Sequence, residues 1–131
     1  MFTLEINPRF SETDALGHVN NTVLPVWFED ARTPVFRLFT PDLDHKKWRL
    51  IIARVEVDFV GELFYGEPIE IRTWIDKLGN SSMVIAQEAW QNHRVGAKGR
   101  AVMIHYDYNE KKAIPIPDDI REELTTHIVV L

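Results

Sequence analysis

The segment FSETDALGHVNNTVLPVWFEDAR, residues 10–32, joins a predicted strand to a predicted helix. Apolar residues follow helical spacing from about Thr22 to Phe39. A polar loop precedes this helix and carries one aspartate, one glycine, one histidine and two asparagines: Asp14, Gly17, His18, Asn20 and Asn21. These residue types either turn the chain and cap the helix, or they form a reactive site at its N-terminus.

Two prolines lie within the predicted helix. Pro25 is close to the first turn, where amide groups are largely unbonded, and it is tolerated there. Pro34 lies deeper, and we expect it to kink the helix or end its first half. Glu29 and Arg32 are three residues apart, so they either form a surface ion pair or leave Glu29 facing the loop as a second carboxylate.

The sequence on both sides of this segment predicts an antiparallel sheet. Residues 3–11 alternate loosely and predict a strand, in which Pro8 indicates an edge position or a bulge. Four segments with a period of two follow the helix: RLIIARVEVDF, IEIRTWIDKL, SMVIAQEAWQ and RAVMIHYDY. The prediction is an α+β domain in which one long helix packs on a curved five-stranded antiparallel sheet. One helix covers five long strands poorly, so we expect exposed sheet to pair with another subunit.

The composition narrows the possible functions. The 131 residues predict a single domain, residues 1–131, and a net charge of -5 without a basic stripe argues against a nucleic-acid partner. The absence of cysteine excludes disulfides and thiol nucleophiles. No apolar run approaches the ~18 residues of a membrane span, and the N-terminus lacks a signal-peptide pattern. We therefore expect a cytoplasmic protein without a membrane partner.

Several of these segments together resemble hotdog-fold acyl-CoA thioesterases of the 4-hydroxybenzoyl-CoA thioesterase type. The resemblance covers the first strand, the TDALGHVNN loop, the helix ending in WFEDAR, and the VEVDF, YGEPIEI and GNSS segments. It implies an acyl-CoA substrate and a homodimer or homotetramer with active sites at the dimer interface. We expect no cofactor and no metal ion, because the histidines form no close pair and cysteine is absent.

The resemblance also implies roles for the loop. Asp14 matches the catalytic aspartate, which attacks the thioester directly or acts as a general base toward water. The backbone N–H of Asn21, seven residues later, is expected to bind the carbonyl oxygen. Gly17 is expected to permit a tight turn with positive φ. His18 and Asn20 are expected to position water or the acyl carbonyl.

Four more residues are candidate substrate contacts: Glu29, Phe59, Ser81 and Ser82. The two serines fall where similar enzymes contact CoA, although hairpin turn chemistry explains them equally well. Phe59 is predicted to lie in the core, at an interface or in the acyl pocket. His105, on a predicted strand, is interpreted as a hydrogen-bonded sheet residue without a catalytic role.

Two other functions fit this kind of fold. Enoyl-thioester hydratases and dehydratases also place a histidine near a loop acid. Here Asp14 and His18 are four residues apart, one short of the usual spacing, and the Gly-Asp-x-Asn-Pro run is absent. A non-catalytic acyl-CoA-binding module is the other alternative, and the presence of Asp14 argues against it.

Overall fold

A computed structural model describes residues 1–129 of the chain. The strands are β1 (Phe2–Ile6), β2 (Leu50–Phe59), β3 (Ile69–Leu78), β4 (Ser82–Gln91), β5 (Arg94–Asp107) and β6 (Lys112–Ala113). The helices are α1 (Leu24–Ala31), α2 (Thr33–Phe39) and α3 (Asp118–Thr125). Strand, central helical segment and four strands follow one another in the predicted order.

The strands form one antiparallel sheet in the order β1-β3-β4-β5-β2, with the short β6 paired to the end of β5. Strand β3 lies inside this sheet, and its alternate residues Ile69, Ile71, Thr73 and Ile75 are all buried. The predicted period of two in this strand is confirmed. The prediction of an α+β fold with an antiparallel sheet is also confirmed.

The central helical segment spans residues 21–39 and is interrupted once. A 3₁₀ turn at Asn21–Val23 leads into α1, and α2 begins at Thr33 with Pro34 in its first turn. Because proline lacks an N–H and its ring clashes with the preceding turn, the helix breaks at Arg32. The predicted long helix is therefore two consecutive helices, and the predicted effect of Pro34 is confirmed.

Close approach between α1 and the sheet depends on Gly99 of β5. A Cβ atom at this position would lie only 2.9 Å from the ring of Phe28, which is fully buried on α1. Any larger residue would force the helix away from the sheet. Glycine here is a packing requirement of the helix that follows the polar loop.

A buried polar network also ties the helices to the sheet. The side chain of Gln87 donates to the carbonyl of Phe28 at 2.8 Å and to Oγ1 of Thr73 at 3.0 Å. It accepts a hydrogen bond from Nη1 of Arg32 at 3.2 Å, and Arg32 is only 4% exposed. Arg32 therefore anchors the helix break to β4, and of the two alternatives for Glu29 and Arg32 the surface ion pair does not form among the described residues.

The first strand is shorter than predicted. It ends at Ile6, whereas the sequence pattern continued to residue 11. Residues Phe10–Glu12 form a 3₁₀ turn instead, and Oε1 of Glu12 accepts the backbone N–H of Arg9 at 2.8 Å. Since β1 lies at one edge of the sheet, the proline at position 8 interrupts no inner strand.

The opposite edge, β2, has apolar side chains without cover. Val57 packs against the core around α1, whereas Ile52, Val55 and Phe59 are exposed. A register shift between Ile52 and Arg54 also bends the strand against β5. The helices cover the middle of the sheet and leave this edge open.

The last helix of the described residues, α3, begins directly after a proline. Pro117 occupies the N-cap, and Asp118 and Asp119 lie in the first turn, where negative charge is favourable. Beyond α3, the carbonyl of His127 accepts the backbone N–H of Ile75 at 2.9 Å. Residues 130–131, which are apolar, lie outside the described residues.

His105 of β5 is buried and fully hydrogen-bonded, as expected from the sequence. Its Nδ1 lies 2.9 Å from the carbonyl oxygen of Pro115, and its Nε2 accepts from Nε of Arg49 at 2.8 Å. These partners require a neutral ring with its proton on Nδ1. Burial, together with the charge of Arg49, lowers the pKa of His105, although the Pro115 carbonyl acts in the opposite direction.

We expect the free energy of unfolding to decrease as the pH falls below the usual histidine pKa of 6.5. The unfolded state then binds a proton that the folded state resists, so the contribution of His105 is complete above this pH and is lost below it. Burial likewise lowers the pKa of His127, which adds to the effect. Urea unfolding at neutral and mildly acidic pH should show a smaller pH dependence for His105→Gln. Equal dependence in both proteins would contradict the prediction.

Candidate active site

The polar loop folds back on itself beside the start of the helical segment. Thr13 and Val19 form an antiparallel bridge, and the backbone N–H of Asp14 donates to the carbonyl of His18 at 2.8 Å. The turn contains Gly17 with a φ of 81°, in the region that residues with a side chain disfavour. The predicted positive φ of Gly17 is confirmed, and it allows the loop to close.

The carboxylate of Asp14 has two distinct oxygens. Oδ1 accepts the backbone N–H groups of Leu16 at 2.7 Å and of His18 at 3.1 Å. Oδ2 lies 3.7 Å from Nδ1 of His18, and the side chain is 36% exposed. One oxygen is therefore fixed by the loop, while the other remains available to take a proton or to attack a bound carbonyl.

His18 lies between this carboxylate and a second one. Its Nε2 is 3.6 Å from Oε2 of Glu62, and its ring packs edge-on against Phe64 at a centroid distance of 5.1 Å. The backbones of His18 and Phe64 also form an antiparallel bridge. The polar loop is thus paired with the segment that follows β2.

That segment is held in place by Gln91 at the end of β4. The Gln91 side chain accepts the N–H of Phe64 at 2.8 Å and donates to the carbonyls of Phe64 at 2.8 Å and Glu67 at 3.0 Å. Glu62, Phe64 and Gln91 were not among the residues predicted from the sequence. The only local signal was the turn composition of VGELFYGEP, which does not indicate what the turn approaches.

The two asparagines have different positions at the start of the helical segment. Oδ1 of Asn20 accepts both the N–H and the hydroxyl of Thr22, at 3.0 and 2.9 Å, so Asn20 is the cap. The Asn21 N–H is the first amide of the 3₁₀ turn and donates to no other residue among those described. A donor thus lies available at the positive end of the helical segment.

Glu12 fastens the loop to α1. Its Oε2 accepts the indole N–H of Trp27 at 2.9 Å, and its carbonyl accepts the N–H of Asn20 at 2.8 Å. Burial alone would raise the pKa of Glu12, but the hydrogen bonds from Arg9 and Trp27 outweigh it and lower the pKa. The ionised carboxylate is therefore the form that holds the loop against the helix.

The remaining predicted site residues are not all near Asp14. Glu29 is exposed on α1 and lines a groove of about 550 Å³ with Glu12 and Trp27, and its side chain makes no hydrogen bond to the described residues. Phe59 ends β2, directly before the segment that carries Glu62.

Ser81 and Ser82 lie at the far end of the sheet. Strand β4 begins at Ser82 and ends at Gln91, which contacts the segment after β2, so roughly 30 Å of strand lie between the serines and that segment. Within one protomer the structure does not bring these serines to the loop. They contribute to the site only if they come from a second copy.

Residues 1–129 contain neither a recognisable metal cluster nor a membrane-spanning helix. No group of three or more histidine, aspartate or glutamate side chains in this range is arranged to hold a metal ion. No helix in the same range has the length and apolar character needed to cross a bilayer.

The chain has clear relatives. Residues 8–124 match the family described as the thioesterase-like superfamily. A predicted thioesterase from Bacillus stearothermophilus is 48% identical, with a TM-score of 0.95 over 99% of this chain and 98% of the other. A thioesterase from Thermus thermophilus, solved with coenzyme A and Zn, is 29% identical. Its TM-score is 0.82, and the match covers 94% of this chain and 96% of the other. YsmA of Bacillus subtilis (strain 168) is 25% identical over 94% of this chain and 84% of its own.

Proposed function

Because the chain belongs to the thioesterase-like superfamily, we propose that it is an acyl-CoA thioesterase of the 4-hydroxybenzoyl-CoA thioesterase type. It would hydrolyse a CoA thioester to a free acid and CoA. The observation that carries the proposal is the carboxylate of Asp14, fixed through Oδ1 and available at Oδ2, in the loop that leads into the first amide of a helical segment. The coenzyme A bound to the Thermus relative supports the class of substrate.

Asp14 has two chemically consistent roles. As a nucleophile, Oδ2 attacks the carbonyl carbon, forms a mixed anhydride and expels the CoA thiolate, and water then hydrolyses the anhydride. As a general base, Oδ2 takes a proton from the water that attacks the carbonyl carbon. In both routes negative charge develops on the thioester oxygen, and the Asn21 N–H is the proposed donor to that oxygen. Gly17 shapes the loop, and His18 and Asn20 position the reacting groups.

Exposed apolar side chains around the loop support an acyl chain or a pantetheine arm as the ligand. Leu16 precedes the turn glycine, and Phe10 packs edge-on against Tyr65 at 5.9 Å. Phe64 lies beside His18, and Phe59 is exposed at the end of β2. Exposed large apolar side chains next to a polar reactive loop are typical of a ligand site rather than of a free surface.

We also propose that two copies pair through the β2 edge. The edge offers unpaired backbone groups and uncovered apolar side chains, which two-fold pairing would bury. Antiparallel pairing places the start of one β2 beside the end of the other. Leu50 pairs with His105, and Ser82 pairs with Ile104, so Ser82 lies at the same sheet end as the start of β2. A second copy would therefore bring Ser81 and Ser82 toward the Asp14 loop, as substrate contacts.

For this interface, Val55→Lys should convert a dimer into monomers. Val55 is 46% exposed on the edge strand, and pairing would bury a charge from each copy close to its counterpart. Sedimentation velocity over a range of concentrations measures the change. Thr3→Lys is the matched control, because Thr3 is exposed on β1, the other edge of the same sheet. A wild-type monomer, or dissociation only in Thr3→Lys, would contradict the interface.

The activity is tested by measuring free thiol release from short, long and aromatic acyl-CoAs. Hydrolysis of at least one class is the expected result, and no hydrolysis of any class would overturn the proposal. Absorbance of an enoyl-CoA, followed in parallel, separates the alternatives. A change in the conjugated double bond without thiol release would indicate a hydratase, and tight binding without turnover would indicate a binding module.

A further inference from the structure

The imidazole of His18 joins two segments that are far apart in the sequence. Its Nδ1 faces Oδ2 of Asp14 in the polar loop, and its Nε2 faces Oε2 of Glu62 after β2. The distances of 3.7 and 3.6 Å are slightly longer than a hydrogen bond, so a small rotation of either carboxylate closes each contact. The three side chains form an ordered row of carboxylate, imidazole and carboxylate.

The backbone on both sides of Glu62 is fixed. The N–H groups of Val60 and Gly61 both donate to the carbonyl of Gly96, at 3.0 and 3.1 Å. The carbonyl of Leu63, on the other side, accepts the N–H of Val19 at 2.8 Å. Glu62 is therefore held opposite His18, while its own side chain is 66% exposed and makes no hydrogen bond within the described residues.

An exposed carboxylate of this kind adds little to folding stability, because solvent screens its interaction with a partner. Its effect on the histidine is more specific. A neutral imidazole carries one proton, and the acceptor beside one ring nitrogen determines which nitrogen holds it. Carboxylates face both ring nitrogens, but Asp14 already accepts the N–H groups of Leu16 and His18, whereas the Glu62 side chain has no other donor among the described residues. Glu62 is therefore the carboxylate that takes the ring N–H, which holds the proton at Nε2 and leaves the lone pair of Nδ1 directed at Oδ2 of Asp14.

Resting on the proposed function, we propose that Glu62 is a positioning residue that orients His18 toward Asp14 for proton transfer. Nε2–H of His18 donates to Glu62, and Nδ1 is left as an acceptor. In the general-base route, Oδ2 of Asp14 takes a proton from the attacking water, and the new O–H donates to Nδ1. The same proton then passes to the departing CoA thiolate, which restores the carboxylate. No other group is needed to balance the step.

The role of Glu62 is tested by comparing two substitutions at this position. Glu62→Ala removes the acceptor, and we expect kcat to fall about tenfold, less than the ~10²–10⁴-fold contribution of a direct acid or base, with KM unchanged. Glu62→Gln keeps an acceptor oxygen and should retain most of the activity. Glu5→Gln removes an exposed carboxylate from β1 and should behave as wild type. Wild-type kcat in Glu62→Ala, or a change in KM alone, would overturn the proposal.

A double-mutant comparison shows whether Glu62 acts through His18. In a His18→Ala background, Glu62→Ala should have no further effect on kcat, because the ring that it orients is absent. Independent, multiplicative losses would show that Glu62 acts by another route and would overturn the positioning role.

Nitrogen NMR of the His18 ring separates this inference from the proposed activity. The wild-type spectrum should show one tautomer with its proton on Nε2, and Glu62→Ala should show a mixture. Glu62→Gln should restore the single tautomer, and a His18→Ala spectrum assigns the signals. If the wild type hydrolyses no acyl-CoA, the proposed function fails, and the tautomer still decides whether Glu62 orients the ring. An identical spectrum in Glu62→Ala and wild type would contradict the inference.

Discussion

Asp14→Asn is expected to lower kcat for acyl-CoA hydrolysis by roughly 10²–10⁴-fold, the range for loss of a general base, and by at least as much if Asp14 is the nucleophile. The substitution retains Oδ1, which still accepts the N–H groups of Leu16 and His18. The loop should therefore keep its conformation. The neutral amide neither takes a proton from water nor attacks a carbonyl, so the loss appears in kcat rather than in substrate binding.

Thiol release under saturating acyl-CoA measures the effect, and Asp30→Asn is the matched control. Asp30 is an exposed carboxylate on α1, outside the loop that carries Asp14. A rapid burst of CoA in the wild type, equal to the number of sites, would identify Asp14 as a nucleophile, because it reports an acyl-enzyme. Asp14→Asn with activity near that of wild type would remove Asp14 from the mechanism.

The parts of this fold that could be predicted are those determined by local sequence. The alternation of Ile69, Ile71 and Ile75 identifies an inner strand because a period of two fixes which residues share a face. Pro34 identifies the helix break because its effect depends only on its own ring and on the preceding turn. Gly17 follows the same rule, since its positive φ is a local requirement of the turn.

Tertiary packing determined what the sequence could not predict. The alternation of apolar residues predicted that β1 continues to residue 11, but the strand ends at Ile6. The carboxylate of Glu12 accepts the N–H of Arg9 and closes a turn there, and hydrophobic alternation does not predict such a turn. Arginine is usually found at the protein surface, yet the guanidinium of Arg32 donates to Gln87, which is 55 residues away in the sequence. Such pairings depend on how the helices pack on the sheet, which hydrophobic periodicity does not specify.

In the candidate site, too, the features set by local sequence could be predicted and those set by tertiary packing could not. The loop with Asp14, Asn20 and Asn21 was visible because it is continuous and precedes a helix. Glu62 was not, because only the pairing of Val19 with Leu63 and the clamp by Gln91 bring the segment after β2 to His18. Ser81 and Ser82 illustrate the reverse case, since a motif position predicted a site contact that one protomer alone does not provide.

Asn21→Pro is expected to lower kcat by about 10²–10³-fold, the cost of removing one donor to a developing oxyanion. Proline is the only residue type that removes the backbone N–H at this position. The first position of a helical turn tolerates proline, and Asn20 has φ −65° and ψ 134°, which suits a residue before proline. Asn21→Ala keeps the amide and should remain close to wild type.

Asn21→Pro and Asn21→Ala also distinguish capping of the helical segment from polarisation of the substrate carbonyl. The cap is the Oδ1 of Asn20, bonded to Thr22, and neither variant removes it. Urea unfolding should therefore give similar free energies for both variants, while only Asn21→Pro loses activity. Equal activity in the two variants would show that another group polarises the carbonyl, because a donor that is absent cannot contribute. Unfolding of Asn21→Pro alone would instead indicate a structural role for the amide, which its lack of a partner among the described residues argues against.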